Sequence, residues 1–331
     1  MFTIRISSSL KTEDNMKNGR KIEDVCDFVV KPIIEALEEA ERGKKISPWT
    51  KQWRDDGTAN TLTGILARNG VSRRPYNGIN WLILNMFPEY NSSDWFTLNQ
   101  LKKLTGMERP IPDGEFENAM SIVFWKMIDH RTERDSKGRP KKFPLAKTYL
   151  VWNRDQIPAL PEPKPDVIPP DFDPKTEIDK YLTNLDLRGG VNLGGNRACY
   201  IPSQDAICLP LNSAFFNEHQ REGTKAHEGI HATGAKHRLN RKMAKGWFDD
   251  EAYAYEELVA ELGAAMTCAY LGMPLTELQH TSYIASWLKH LKDDPSFIMS
   301  AAAHANKAFN YLIGEHASLQ SESKESLAYA A

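Results

Sequence analysis

Seven prolines fall between residues 158 and 174, and no other feature limits the possible folds of this chain as strongly. Pro158, Pro161, Pro163, Pro165, Pro169, Pro170 and Pro174 each lack an amide hydrogen and fix φ, so the stretch cannot run as a helix interior or a central strand. It reads as a stiff linker, residues 158–174. The chain is therefore predicted to form two domains, residues 20–157 and 175–315, between a loose N-terminus (1–19) and a disordered tail (316–331). With 331 residues, each domain is long enough to bury a core of its own.

A hydrophobic content of 41% with 26% charged residues is that of a soluble globular protein. No run of eighteen apolar residues occurs, so no membrane partner is expected. The N-terminus (Met1-Phe2-Thr3-Ile4-Arg5) lacks a signal peptide's apolar stretch, and a cytoplasmic location follows as the expectation. Cys26, Cys199, Cys208 and Cys268 show no CxxC spacing, which argues against a thiolate zinc site and a disulfide framework. Charge is uneven. Residues 1–155 carry 26 Lys and Arg against 21 Asp and Glu, while the remainder is acidic, a balance compatible with a polyanion contacting the first half.

Periodicity gives the elements. Lys21 to Glu41 reads as an amphipathic helix, and Trp81-Leu82-Ile83-Leu84 opens a second. Ser93 to Thr97 reads as the cap of a third, with Leu98, Leu101 and Leu104 facing inward. Residues 121–125 and 148–152 are strand-like, and the basic stretch 131–147 between them reads as a long hairpin loop. In the second half, residues 198–202 and 206–210 predict a short β-hairpin. Helices are then expected around the pentad described next, over 253–270, 276–291 and 295–314. The fold class is α+β: a small α+β domain and a mostly helical one with a short β-sheet.

The sharpest chemical signal is His227-Glu228-Gly229-Ile230-His231. Residues four apart share a helix face, so both imidazoles can meet one divalent ion while Glu228 takes a proton from a water bound there. Two or three nitrogen or oxygen ligands, an open position and an adjacent carboxylate are what zinc hydrolysis needs. Zn2+ is the expected cofactor, with another divalent metal as the alternative. Two residues compete for the third ligand. His237 completes an HExxHxxGxxH spacing. Glu257 lies on the following helix, one turn from Glu261, which would accept the free N–H of a ligand histidine. Carboxylates among Leu258, Val259 and Leu262 are costly to bury without a cation, whereas His237 sits in the basic run 236–242, read as exposed. That weighing favours Glu257 and leaves His237 as the alternative. Glu256 reads as a solvated helix face. His219, His280, His290, His304 and His316 read as surface or packed histidines, and Tyr253 and Tyr255 as core.

The first half interleaves Trp49, Trp53, Tyr76, Trp81, Trp95, Trp125 and Trp152 with Lys and Arg. Aromatic faces stack bases and cations track phosphates, so this composition suits single-stranded nucleic acid. Trp81, Trp125 and Trp152 are expected in the core. Arg73, Arg74, Tyr76 and the basic stretch with Lys141 and Lys142 are the candidate contacts.

Ile46-Ser47-Pro48-Trp49, Tyr76-Asn77-Gly78-Ile79-Asn80, Trp95-Phe96-Thr97 and Ile122-Val123-Phe124-Trp125 mark the first half. Ala206-Ile207-Cys208-Leu209-Pro210, the pentad continued through Ala232-Thr233-Gly234 to Arg238-Leu239-Asn240-Arg241, and Tyr253-Ala254-Tyr255-Glu256-Glu257-Leu258-Val259-Ala260-Glu261 mark the second. Over roughly residues 24–313 the chain resembles the ArdC-type antirestriction proteins of plasmids and phages, a group related to part of some conjugative-transfer primases. The resemblance implies an N-terminal domain binding single-stranded DNA and a C-terminal zincin-like metallopeptidase domain with Glu257 as third ligand. It implies protection of incoming plasmid or phage DNA from host restriction, with restriction enzymes or other DNA-bound proteins as further partners. Pro112-Asp113-Gly114-Glu115 stands where such domains carry a basic turn. Two rivals remain: an active metalloprotease cleaving DNA-bound proteins, and a non-catalytic DNA-binding protein whose metal is structural.

Overall fold

The protein is described by a computed structural model covering residues 30–42 (without 32, 36 and 40), 66–86, 90, 92–163, 173–241, 250–273, 281–294 and 296–314. Trp49, Trp53, His280, His316, both chain ends and linker residues 164–172 lie outside these, as do the side chains of Trp125 and Lys142. One compact unit gathers the described residues of 1–36 and 67–165, the other those of 37–66 and 166–331. The architecture is α+β.

The first unit is built on a four-stranded sheet of order β1-β2-β4-β3. Its strands are β1 (Arg68–Asn69), β2 (Asp94–Thr97), β3 (Met120–Arg134) and β4 (Pro140–Asn153). β1 and β2 run parallel and the other pairs antiparallel. Helix α1 (Ile79–Met86) precedes β2 and helix α2 (Leu98–Thr105) follows it. Side chains alternate across a strand, and here both faces are buried. Trp95 and Val151 pack with Ala67, Tyr76, Leu84 and Ile122, while their neighbours Phe96 and Trp152 pack with Leu101, Ala119, Ile157 and Leu160. The tryptophans at 81, 95 and 152 are therefore core.

Several local expectations change. Asp94–Thr97 is a strand paired with β4 rather than a capping segment, and Thr97 alone caps α2, in a capping box with Gln100. Leu104 is exposed. The basic stretch is not a long loop: the β3–β4 ladder continues to the turn at 135–139, interrupted by a register shift between Asp129 and Arg134. Asp135 explains the turn, since its carboxylate accepts from the Lys137 and Arg139 amides and from the Arg139 guanidinium. Asn80 of the Tyr-Asn-Gly-Ile-Asn motif acts as a substitute strand. Its side-chain amide donates to the Val123 carbonyl at 2.8 Å and accepts from the Val123 N–H at 2.7 Å, covering the edge of β3.

The second unit opens with α3 (Pro174–Asn184), whose first residue is the last linker proline and whose cap is Asp173. A sheet of order β5-β7-β6 follows, made of β5 (Gly190–Leu193), β6 (Cys199–Ile201) and β7 (Ala206–Leu209). Then come α4 (Glu218–Thr233), α5 (Asp250–Tyr270), α6 (Thr281–Asp293) and α7 (Ser296–Leu312). Among the described residues no helix is long and apolar enough to cross a membrane. Asp205, at φ 50° in the β6–β7 turn, is fully buried. It accepts from the Tyr200 hydroxyl at 2.8 Å and the Arg238 guanidinium at 2.7 Å, tying the hairpin to the segment after α4. Those partners outweigh the burial that opposes its charge, and hold its carboxyl well below the usual range.

Candidate metal centre

The centre is made where α4 crosses α5. Gly263 lets α5 approach α4, and Gly229 lets α3 approach α4 from another side. A Cβ on Gly263 would lie 2.8–2.9 Å from three carbons of Ile230, and one on Gly229 would lie 2.8 Å from Leu182. The end of α4 is consequently buried from Ala226 to Thr233. His227 and His231 stand on its inner face with Nε2 atoms 3.1 Å apart. Glu257 comes up from α5, its Oε2 lying 3.5 Å from Nε2 of His227 and its Oε1 3.5 Å from Nε2 of His231. One donor atom from each of the three lies within 4.8 Å of the others.

Carboxyl groups crowd these atoms. Glu228, Glu256, Glu257 and Glu261 are all buried, at 6%, 4%, 5% and 0% exposure. Arg241 is the guanidinium bonded to Glu256. Burial disfavours a charged His231, yet Glu256 and Glu257 overcome it and push the imidazole up to about 10. Against the effect of burial, His227 and His231 hold Glu257 below the carboxylate range. Glu261, buried deepest, is pushed up to about 8 by desolvation and its carboxylate neighbours. Two imidazole nitrogens and a carboxylate oxygen converging among buried carboxyl groups form a donor set suited to a divalent cation of borderline softness.

The residues that hold this set in place were only partly legible. Glu256 is not on a solvated face. Its Oε1 lies 3.3 Å from Nδ1 of His231, and Arg241 clamps it from the other side. Glu261, expected to receive a ligand's N–H, stands 4.0 Å from Nδ1 of His227. The run 236–242 is not uniformly exposed either. The side chains of Arg238 and Arg241 are 2% and 6% exposed, because they neutralise Asp205 and Glu256 and bond carbonyls at the end of α4. Arginines three apart, just past the helix end, were the available signal. His237 is half exposed, lies 3.3 Å from Asp205, and is not brought to the cluster. Tyr255 is bonded to Ser300 and His304, which gives His304 a partner.

The candidate DNA residues do not gather in one place. Tyr76 is buried among the apolar side chains of the first unit rather than displayed. Arg73, at φ 62°, donates twice to Asp94, which also receives Arg68 at 2.6 Å. Arg74 is exposed. Lys141, paired with Glu133 at 3.0 Å, and Lys142, opposite Asp129, sit on the distal part of β4. β2, which carries Asp94, pairs with β4 only at 151–153. At about 3.3 Å per residue, the two groups are roughly 30 Å apart along the strand. The acidic turn at 112–115 is structural, since Glu115 accepts from Gln156 and Asn118.

Comparison with known proteins agrees with this two-part organisation. Residues 177–304 match the zincin-like metallopeptidase family, and residues 23–152 match the N-terminal domain of anti-restriction factor ArdC. The chain is 30% identical over 306 residues to y4eC, an uncharacterized protein of Sinorhizobium fredii, covering 90% of this chain and 94% of that one. It is 29% identical to a DNA primase TraC of Escherichia coli, over 92% of this chain but only 20% of the primase. The crystal structure of the antirestriction protein ArdC from plasmid R388, metal-free, superposes with a TM-score of 0.67 at 31% identity, covering 89% of this chain and 98% of that one. Its Mn(II)-bound structure gives 0.65 at 30% identity, with the same coverage. The fold and the centre define a chain that joins an ArdC-type N-terminal domain to a zincin-like metallopeptidase domain. It belongs to the ArdC-type antirestriction family.

Proposed function

We propose that this protein shields incoming plasmid or phage DNA from host restriction by binding it as single strands, and carries a divalent-metal peptidase centre in its second unit. One observation carries the reading: the Nε2 atoms of His227 and His231 and a carboxylate oxygen of Glu257 converge beside Glu228. His227, His231 and Glu257 would hold the ion, zinc or another divalent metal. The Mn(II)-bound structure of the R388 relative supports a divalent ion without favouring zinc. Once bound, such an ion supplies a Lewis acid for a carbonyl and lowers the pKa of water.

The chain's own residues do the rest. Glu228 accepts a proton from the attacking water and returns it to the leaving amine. Glu256, held by Arg241, fixes the ring of His231, and Glu261 lies behind His227. A peptide substrate would be aligned by strand addition. β7 (Ala206–Leu209) cannot serve for this, being flanked by β5 on one side and β6 on the other. Among the described residues, the open edge beside α4 is that of β6.

On the first unit, Arg74 and the distal β3–β4 ribbon are the places for phosphate contact. Arg131, Arg134 and Lys137 are exposed there and, among the described residues, face no carboxylate partner. Binding should favour single strands, and log K should fall with log salt by about 0.7 per phosphate contacted. Equal affinity for duplex would count against the reading.

A restriction-protection assay tests the whole. Wild type and Glu228→Gln are compared with a truncation near residue 160. Protection lost in Glu228→Gln assigns it to proteolysis of a DNA-bound protein. Protection retained by both variants assigns it to DNA binding, with the metal left as structural. Absence of protection by the wild type removes the antirestriction reading altogether.

A further inference from the structure

Cys199 and Cys208 are direct partners across the antiparallel β6–β7 pair. Both thiols are free and half buried, whereas Cys268 is fully buried inside α5. Directly opposed residues of antiparallel strands have Cα atoms about 4.5–5.5 Å apart, within the range of about 4.4–6.8 Å that a disulfide spans. The register cannot readily slip. Gln204 N–H bonds back to the Ile201 carbonyl at 3.2 Å, and Tyr200 is tied to buried Asp205, itself held by Arg238. A one-residue shift would break these bonds and turn Ile207 out of the core.

The pair also stands next to the candidate centre. β6 packs on α4. Burial, followed by the Glu228 carboxylate, pushes the Cys199 thiol up, so Glu228 lies within electrostatic reach of it.

We propose that Cys199 and Cys208 form a reversible disulfide site that ties the open-edged strand β6 to the central strand β7 beside the HExxH helix. Chemically, two S–H bonds are lost and one S–S bond is made. A low-molecular-weight disulfide takes the two electrons and two protons and leaves as two thiols. One cysteine sulfur attacks that disulfide, expels the first thiol and holds a mixed disulfide. The second cysteine then displaces the other thiol. Nothing in this step depends on the metal or on DNA, so its failure is separable from failure of the proposed function.

The test uses the full chain equilibrated with graded ratios of oxidised to reduced glutathione, alkylated with iodoacetamide and digested with trypsin. Both cysteines fall in one tryptic peptide, residues 198–221. The expected product is that peptide two hydrogens lighter than its reduced form, without alkyl label, restored by dithiothreitol. The oxidised protein should melt higher than the reduced one, because the bond restricts the unfolded chain. Cys208→Ser should lose both effects and take up glutathione at Cys199. Alkylation or separate glutathionylation of both cysteines in the wild type at oxidising ratios would overturn the proposal. So would an unchanged melting gain in Cys208→Ser. The wild-type peptide decides the matter even if the variant fails to fold.

Discussion

Glu256 shows how much a single side chain next to a candidate ligand can carry. It is buried, accepts from Arg241 and faces Nδ1 of His231, so it sets the ring's orientation and the nitrogen that keeps its proton. Glu256→Gln keeps the shape and removes the charge. It should weaken metal affinity about 10–100-fold, the usual cost of removing a ligand's outer partner, as measured by competition with a chromophoric chelator. Asp205 works differently, as a charge the fold depends on. Its carboxyl sits below the usual range in the folded state, so its stabilisation is complete above the unfolded value of about 4 and drains away as pH falls below it. Asp205→Asn should cost about 3–5 kcal/mol at neutral pH, because Arg238 is left buried without its carboxylate. The gap in melting temperature between variant and wild type should close as pH drops below about 4.

At the scale of elements, the α4–α5 crossing sets the geometry. By helix propensity alone, Gly263→Ala would stabilise by roughly 1 kcal/mol. The packing argues the opposite, because the new methyl lands 2.8–2.9 Å from three carbons of Ile230. Overpacking of that kind costs about 1–3 kcal/mol and separates the helices, so a lower melting point and weaker metal binding are expected together. Gly263→Ala combined with Ile230→Val should recover part of both. This crossing also marks where sequence stopped being informative. The HExxH face and the carboxylate-rich α5 were readable from spacing, since each is a local pattern. The clamp of Arg241 on Glu256 was not, because a basic run reads as solvent-facing until a buried partner from another element is known. The same limit applied to Tyr76, whose ring looked like a stacking platform and is core, and to Leu104, inward by period yet exposed. The ribbon reads as a loop in the sequence because the pairing of residues 126–134 is dictated by the partner strand and the Asp135 turn, not by alternation.

For the whole molecule, the two units raise the question of what the metal stabilises. If it holds only the second, chelation should lower that unit's melting transition alone. The shift should be worth about 2.7 kcal/mol when the free metal had stood at a hundred times its dissociation constant. Calorimetry with and without chelator reads this directly, and His231→Ala should melt at the same temperature in both. An identical response in wild type and His231→Ala would place the metal elsewhere.

The distal β3–β4 ribbon has another consequence. Beyond residue 150 toward the turn, β4 has no strand on its outer side among the described residues, and β3 is the sheet's last strand. Two such edges invite a second copy of the chain to add on. Pro140 and Pro144 offer no amide to a newcomer, and Arg131, Arg134, Lys137 and Lys141 put like charges where an identical strand would arrive. The cations proposed for a phosphate backbone therefore also oppose edge pairing between copies of the chain. Variants that strip them to measure DNA binding should self-associate, so a loss of affinity must be read beside a sedimentation profile.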